Sequence, residues 1–286
     1  MTRRRGDMQY FETTLTGIDG SDARFAGYMP DNYPDIDPDR RRPAVLVLPG
    51  SGYWQTTDRE GEPIALKFLA EDYNAFVLHY SCRPSVYPTS VLEVAEAVRR
   101  MHEHADDWHI DTSRIAVIGF SAGGHLAADF ATSASDDVMR AHGYDPDMLR
   151  PAALMLSYPV ISAGEHRHDG SFRALLGERY ADPDMMREVS IEEHIGAKTP
   201  PVFVWHTVPD DCVPVENTLL LIAACKAADV PIETHLFPTG GHGLSLATAE
   251  TAWGGTDGIE PGVDVWIRLA LAWLARTFGT SGHDTM

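Results

Sequence analysis

The chain has 286 residues, with 23 Lys and Arg against 42 Asp and Glu, a formal charge of -19. Such a field repels phosphate backbones and anionic lipid, so neither nucleic acid nor a membrane is an expected partner, and strongly anionic substrates are disfavoured. Cys82, Cys212 and Cys225 are few, odd in number and scattered, which speaks against a disulfide framework or a thiolate metal site and for the reducing cytoplasm. The length permits two domains, but no linker, repeat or low-complexity tract interrupts the chain, and one domain over 1–286 is expected.

Residues 1–7 carry the charges of a signal peptide's start, Arg3–Arg5, but no apolar run follows, so an export signal is not expected. From about 8 to 29 apolar and polar residues alternate loosely, the pattern of an antiparallel edge hairpin. Short apolar runs bounded by turn residues come next: PAVLVLPG (43–50), NAFVLHY (74–80), RIAVIGF (114–120), AALMLSYP (152–159), PVFVWH (201–206) and PIETHLFP (231–238). Continuous rather than alternating apolarity suits parallel strands covered on both faces. Between them SVLEVAEAVRRMHEHA, VENTLLLIAACKAA and VDVWIRLALAWLARTF have helical spacing. The alternation predicts an α/β fold: a mostly parallel sheet with helices on both faces and ligands beyond the carboxyl ends of its strands. Residues 160–195 are polar and irregular, a candidate cap or lid, and Arg40–Arg42 read as solvated charge.

Three segments that could carry chemistry each follow a strand. Gly119-Phe120-Ser121-Ala122-Gly123 joins a β-branched run to an Ala-rich helix, the strand–turn–helix elbow that presents a serine on a tight turn. A serine at its ordinary pKa needs a base, and the base needs an acid to orient it. After PVFVWH the chain offers Asp210 and Asp211, either of which could supply the acid. After the next strand, FPTGGHGL offers His242 between glycines; His235 lies inside a strand and His283 in a tail. An acyl-transfer site also needs N–H donors for an oxyanion, and Pro49-Gly50-Ser51-Gly52 together with Ala122 are the candidates. Tyr53, Trp54 and Tyr158 follow strand ends, where they suit either stacking on a sugar ring or the core. His166 and His168 lack a third ligand at a fixed offset and read as a solvated loop near the site mouth rather than a metal site.

PGSGY, EGEPIALKFLAEDYNAFVLHYSCRP, IAVIGFSAGGHLAA, WHTVPDDCVPVENTLL and FPTGGHGL together resemble the α/β-hydrolase superfamily, most closely its acetyl-xylan-esterase and acetylesterase-like group. That resemblance implies Ser121 as nucleophile, His242 as base, Asp210 rather than Asp211 as acid, and Ser51, Gly52 and Ala122 as oxyanion donors. Pro49-Gly50-Ser51-Gly52 stands where many carboxylesterases carry His-Gly-Gly-Gly, and Ser121 stands where dienelactone hydrolases carry cysteine. The implied activity is hydrolysis of short acyl esters, acetyl first, on a small neutral substrate such as an acetylated sugar or xylo-oligosaccharide, without metal or organic cofactor. An amide-cleaving relative (a peptidase or arylformamidase) and a non-catalytic binding protein of the same fold are the alternatives.

Overall fold

The computed structural model describes residues 8–279; Arg3–Arg5 and His283 lie outside them. Eight strands form one sheet: β1 (Gln9–Thr16), β2 (Asp22–Met29), β3 (Arg42–Leu48), β4 (Asn74–His79), β5 (Ile110–Phe120), β6 (Ala153–Ser157), β7 (Val202–Thr207) and β8 (Ile232–Phe237). Their spatial order is β1-β2-β4-β3-β5-β6-β7-β8. The pairs β1/β2 and β2/β4 are antiparallel and the remaining five are parallel. Among the described residues the helices are α1 (Glu62–Ala70), α2 (Thr89–Glu103), α3 (Ala122–Ala131), α4 (Asp136–Ala141), α5 (Pro146–Leu149), α6 (Asp169–Leu176), α7 (Pro183–Glu188), α8 (Glu216–Ala227) and α9 (Trp266–Thr277), with 3₁₀ turns between some of them. None of them is long and apolar enough to cross a membrane.

The runs on β3 to β7 are apolar without alternation because both sheet faces are covered, whereas the expected run on β8, at the sheet edge, has no fully buried residue. Along β5, Val117 enters a cluster with Leu92 and Val98 of α2, Leu126 of α3 and Leu221 of α8. Its neighbours Ala116 and Ile118 face Ile64 and Phe68 of α1 and Trp266 and Leu274 of α9. Every residue of β3 is buried, whereas the edge strand β1 alternates between buried and exposed positions. The sequence pattern therefore reports how many layers cover each strand.

Arg42 departs from its expected place in solvent. It opens β3 at 5% exposure, where Nε meets Asp72 Oδ1 at 2.7 Å and a guanidinium N–H donates to Asn32 Oδ1 at 2.5 Å. A guanidinium can be buried once its fork of donors is matched by fixed acceptors. The segment 160–195 is also more ordered than its polar sequence suggests. It contains α6 and α7, and Phe172, Leu175, Leu176, Val189 and Ile191 enter the core. Helices of eight and six residues are too short to declare a period in sequence.

Strand β3 lies between β4 and β5, so the chain leaves it towards one edge and returns past it to build the other side. This reversal is the topological switch point, where an open α/β sheet forms its crevice. The loops after β3 and β5 meet there.

Candidate active site

Ser121 sits between β5 and α3 with φ 53° and ψ -117°. That conformation is costly for a residue with a side chain, and the surroundings enforce it. Its N–H donates to Ser157 O at 3.0 Å, and its carbonyl accepts from Val160 and His125. The glycines around it are sites of backbone-to-backbone approach. A Cβ on Gly119 would lie 2.1 Å from Gly123 O, and one on Gly123 would lie 2.2 Å from Leu48 O.

His242 Nε2 lies 2.8 Å from Ser121 Oγ, and its Nδ1 lies 2.7 Å from Asp210 Oδ2. With a carboxylate as its acceptor, Nδ1 carries the ring proton, which leaves Nε2 to accept from the serine hydroxyl. Asp210 is buried, while Asp211 is exposed. The carboxylate of Asp210 also accepts backbone N–H bonds from Cys212 and Val213 at 2.9 Å each, and a bond from His206 Nε2 at 3.1 Å. Burial pushes the Asp210 carboxyl up, but the bonds from His206 and His242 outweigh it and hold the group well below the usual carboxylate range. The three side chains form one directed line of hydrogen bonds, able to move a proton from serine to imidazole beside a fixed negative charge.

His206 is an addition that the sequence reading missed. Fully buried at the end of β7, it accepts from Thr218 Oγ1 through Nδ1 (2.8 Å) and places its Nε2–H between Asp210 and Val213 O. The available signal was its spacing, four residues before the acid on a strand end.

The loop after β3 presses directly on Ser121. A Cβ on Gly50 would stand 2.5 Å from Phe120 O and 3.0 Å from Ser121 Cβ, so only glycine fits. Ser51 and Gly52 follow with φ of 116° and 71°. Gly50 N–H is already taken by Glu60 Oε2 at 2.8 Å. Ala122 opens α3, where a helix has no carbonyl of its own to receive the N–H.

Glu60, another residue the sequence reading passed over, is 3% exposed and links three loops. Its other oxygen accepts from Tyr158 OH at 2.5 Å, and the same phenol oxygen accepts from Ser245 N at 2.9 Å. Carboxylate and phenol thus couple the Gly50 loop to the His242 loop. Arg59 reinforces the tie by donating to the carbonyls of Gly243 (3.0 Å) and Thr251 (2.5 Å). From behind, Trp266 of α9 donates to Ser245 O.

The three aromatic candidates separate. Tyr158 is 1% exposed and packs edge-on against His242 with ring centroids 5.0 Å apart, so it supports the imidazole and offers no face for stacking. Tyr53, at 2% exposure, donates to His125 Nδ1 at 2.8 Å, and His125 donates onward to Val189 O. Both are core aromatics, because a phenol that meets a buried acceptor is drawn inward. Trp54 remains half-exposed beside Gly52, with Arg83 over its ring at 4.5 Å.

This sheet order, with a strained serine after β5 and a histidine and aspartate after β8 and β7, is that of an α/β-hydrolase. Residues 31–224 match the BD-FAE family, and the chain belongs to it. A solved structure of an acetyl ester-xyloside bifunctional hydrolase from Caldicellulosiruptor lactoaceticus superposes with a TM-score of 0.77 at 36% identity, covering 92% of this chain and 90% of that one. Endo-1,4-beta-xylanase B of Butyrivibrio fibrisolvens is 34% identical over 80% of this chain and 37% of its own length. Acetylxylan esterase of Xylanibacter ruminicola is 28% identical over 82% of this chain and 46% of its own length. The chain thus spans less than half the length of these two curated relatives.

Proposed function

We propose that this chain is a serine carboxylesterase that removes short acyl groups, acetyl first, from acetylated sugars or xylo-oligosaccharides. The observation that carries the reading is the unbroken line Ser121–His242–Asp210, with hydrogen bonds of 2.8 and 2.7 Å. His242 takes the Ser121 proton as Oγ attacks the ester carbonyl. N–H groups of Ser51, Gly52 and Ala122 stabilise the tetrahedral oxyanion. The intermediate collapses, the alcohol leaves with the proton from His242, and the acyl group stays on Ser121. A water then gives its proton to His242, attacks the acyl carbonyl, and the acid departs as Ser121 is restored. Asp210 stays ionised throughout and holds the imidazole in its tautomer.

Two relatives named for xylan chemistry support the sugar part of the reading, as does the charge of -19, which favours a neutral substrate. In this reading the chain is one hydrolase domain and 160–195 roofs its cleft. The test is hydrolysis of p-nitrophenyl acetate and of acetylated xylo-oligosaccharide by the intact protein and by Ser121→Ala. The expected loss in kcat/KM is about 10⁴-fold or more. Unchanged turnover in the variant would remove Ser121 from the mechanism, and faster turnover of peptides or formamides than of esters would replace the ester assignment.

A further inference from the structure

His168, from a polar stretch that looks like plain solvated loop in sequence, is half-buried at the edge of the cleft. It caps the N-terminus of α6: its Nδ1 accepts from Ser171 N at 3.2 Å and lies 2.8 Å from Ser171 Oγ. A ring nitrogen that accepts carries no proton, so in the neutral imidazole the proton sits on Nε2. Burial, then the nearby His242, pushes the His168 pKa down, while Asp169 and Asp210 pull it the other way; the neutral ring is the net result.

The Nε2–H has a poor partner within the protein. It faces Cys212 Sγ at 3.8 Å, a weak acceptor at long range. Cys212 belongs to the turn that holds Asp210. On the opposite side, Ser171 Oγ lies 3.9 Å from where a Cβ on Gly52 would stand. His168 is therefore bracketed by the acid-bearing loop after β7 and the loop after β3, with an underused donor between them.

We propose that His168 is a substrate-recognition residue whose Nε2–H donates a hydrogen bond to a hydroxyl or ring oxygen on the alcohol side of a polyhydroxylated ester. The proposal rests on the esterase reading above. An acetyl group has no polar atom besides its carbonyl, and the Ser51, Gly52 and Ala122 N–H groups are assigned to that oxygen. A further donor at the edge of the site would then find its acceptor on the alcohol. A neutral, tautomer-locked imidazole also suits an uncharged polyol better than a cation would, since it presents a donor of fixed direction with less desolvation.

The experiment compares two acetyl esters of three-carbon alcohols, glycerol monoacetate and propyl acetate, with the intact protein, H168A and H168Q. The intact protein is expected to favour the hydroxylated ester by about fivefold to tenfold in kcat/KM, the scale of one hydrogen bond. H168A should bring the ratio within about twofold of unity while propyl acetate turnover stays within about twofold. H168Q, whose amide restores a neutral donor, should recover part of the preference, and it carries the test if H168A does not fold. Equal losses on both esters, or an intact preference in the variants, overturn the proposal. An intact protein that cleaves both esters without preference also overturns it and leaves the esterase reading standing, whereas cleavage of neither ester overturns that reading itself.

Discussion

The cleft over Ser121 and the cavity beside β2 and β4 use polar residues in opposite ways. The cavity measures about 680 Å³ and is lined by Arg24, Asp58, Arg59, Glu62, His79 and Glu250 among others. Most of its charges are spent on near neighbours in solvent: Arg24 pairs with Glu12 and Asp58 and Glu250 with Lys67, while the mostly buried His79 meets Thr56 Oγ1. Exposed pairs of this kind are worth little and direct nothing. Around Ser121 the charges are fewer, and Asp210, His242 and Ser121 are largely buried and linked along one line that ends at the serine oxygen. In the proposed mechanism, reactivity follows from direction and from exclusion of water, which strengthens each interaction, and not from roominess or from the number of charges.

The sharpest test of that contrast is the pair Asp210→Asn and Asp211→Asn. The first should lower kcat/KM on p-nitrophenyl acetate by about 10³–10⁴-fold, and the second should change it by less than about twofold. Equal effects in the two variants would mean that the buried carboxylate is not the one that orients His242.

Next in size is Glu60→Gln, which preserves volume but replaces an acceptor oxygen with an amide donor. It should lower kcat by about 10–10²-fold with little change in KM, because the loop displaced carries the proposed oxyanion donors. A variant with a lower melting temperature but intact kcat would reduce Glu60 to a packing role. The smallest effect belongs to the cavity: Arg24→Ala and His79→Ala should each leave kcat/KM within about twofold. A tenfold fall in either would break the comparison and bring that cavity into substrate binding. Arg59 is unsuitable for this control, since it also secures the His242 loop.

Legibility in the sequence followed covalent proximity and periodicity. The six apolar runs lie on β3 to β8 to within a few residues; for β3 to β7 this is because a strand covered on both faces writes its burial as an unbroken string, which the half-buried edge strand β8 does not share. The serine elbow and the glycines beside His242 announce themselves locally. Glu60 and Tyr158 did not, since their role arises only when residues 98 positions apart meet over a loop neither belongs to. A buried glutamate and an exposed one are written with the same letter. Tyr53 and Trp54 make the same point as adjacent aromatics, one turned into the core and the other left half-exposed. Arg42 looked like its two arginine neighbours until Asn32 and Asp72 were folded beside it.

The glycines of the elbow also bear on how such an enzyme can change. With α3 meeting β5 through bare backbone at Gly119 and β3 at Gly123, no larger residue can be admitted there without moving the sheet itself. Mutational drift at the mount is therefore lethal to the geometry and cannot be graded. In the proposed function, new substrate preferences would be written elsewhere, in partly exposed side chains beside the site such as Trp54 and His168. A laboratory library confined to those positions would sample specificity while inheriting the reaction centre unchanged.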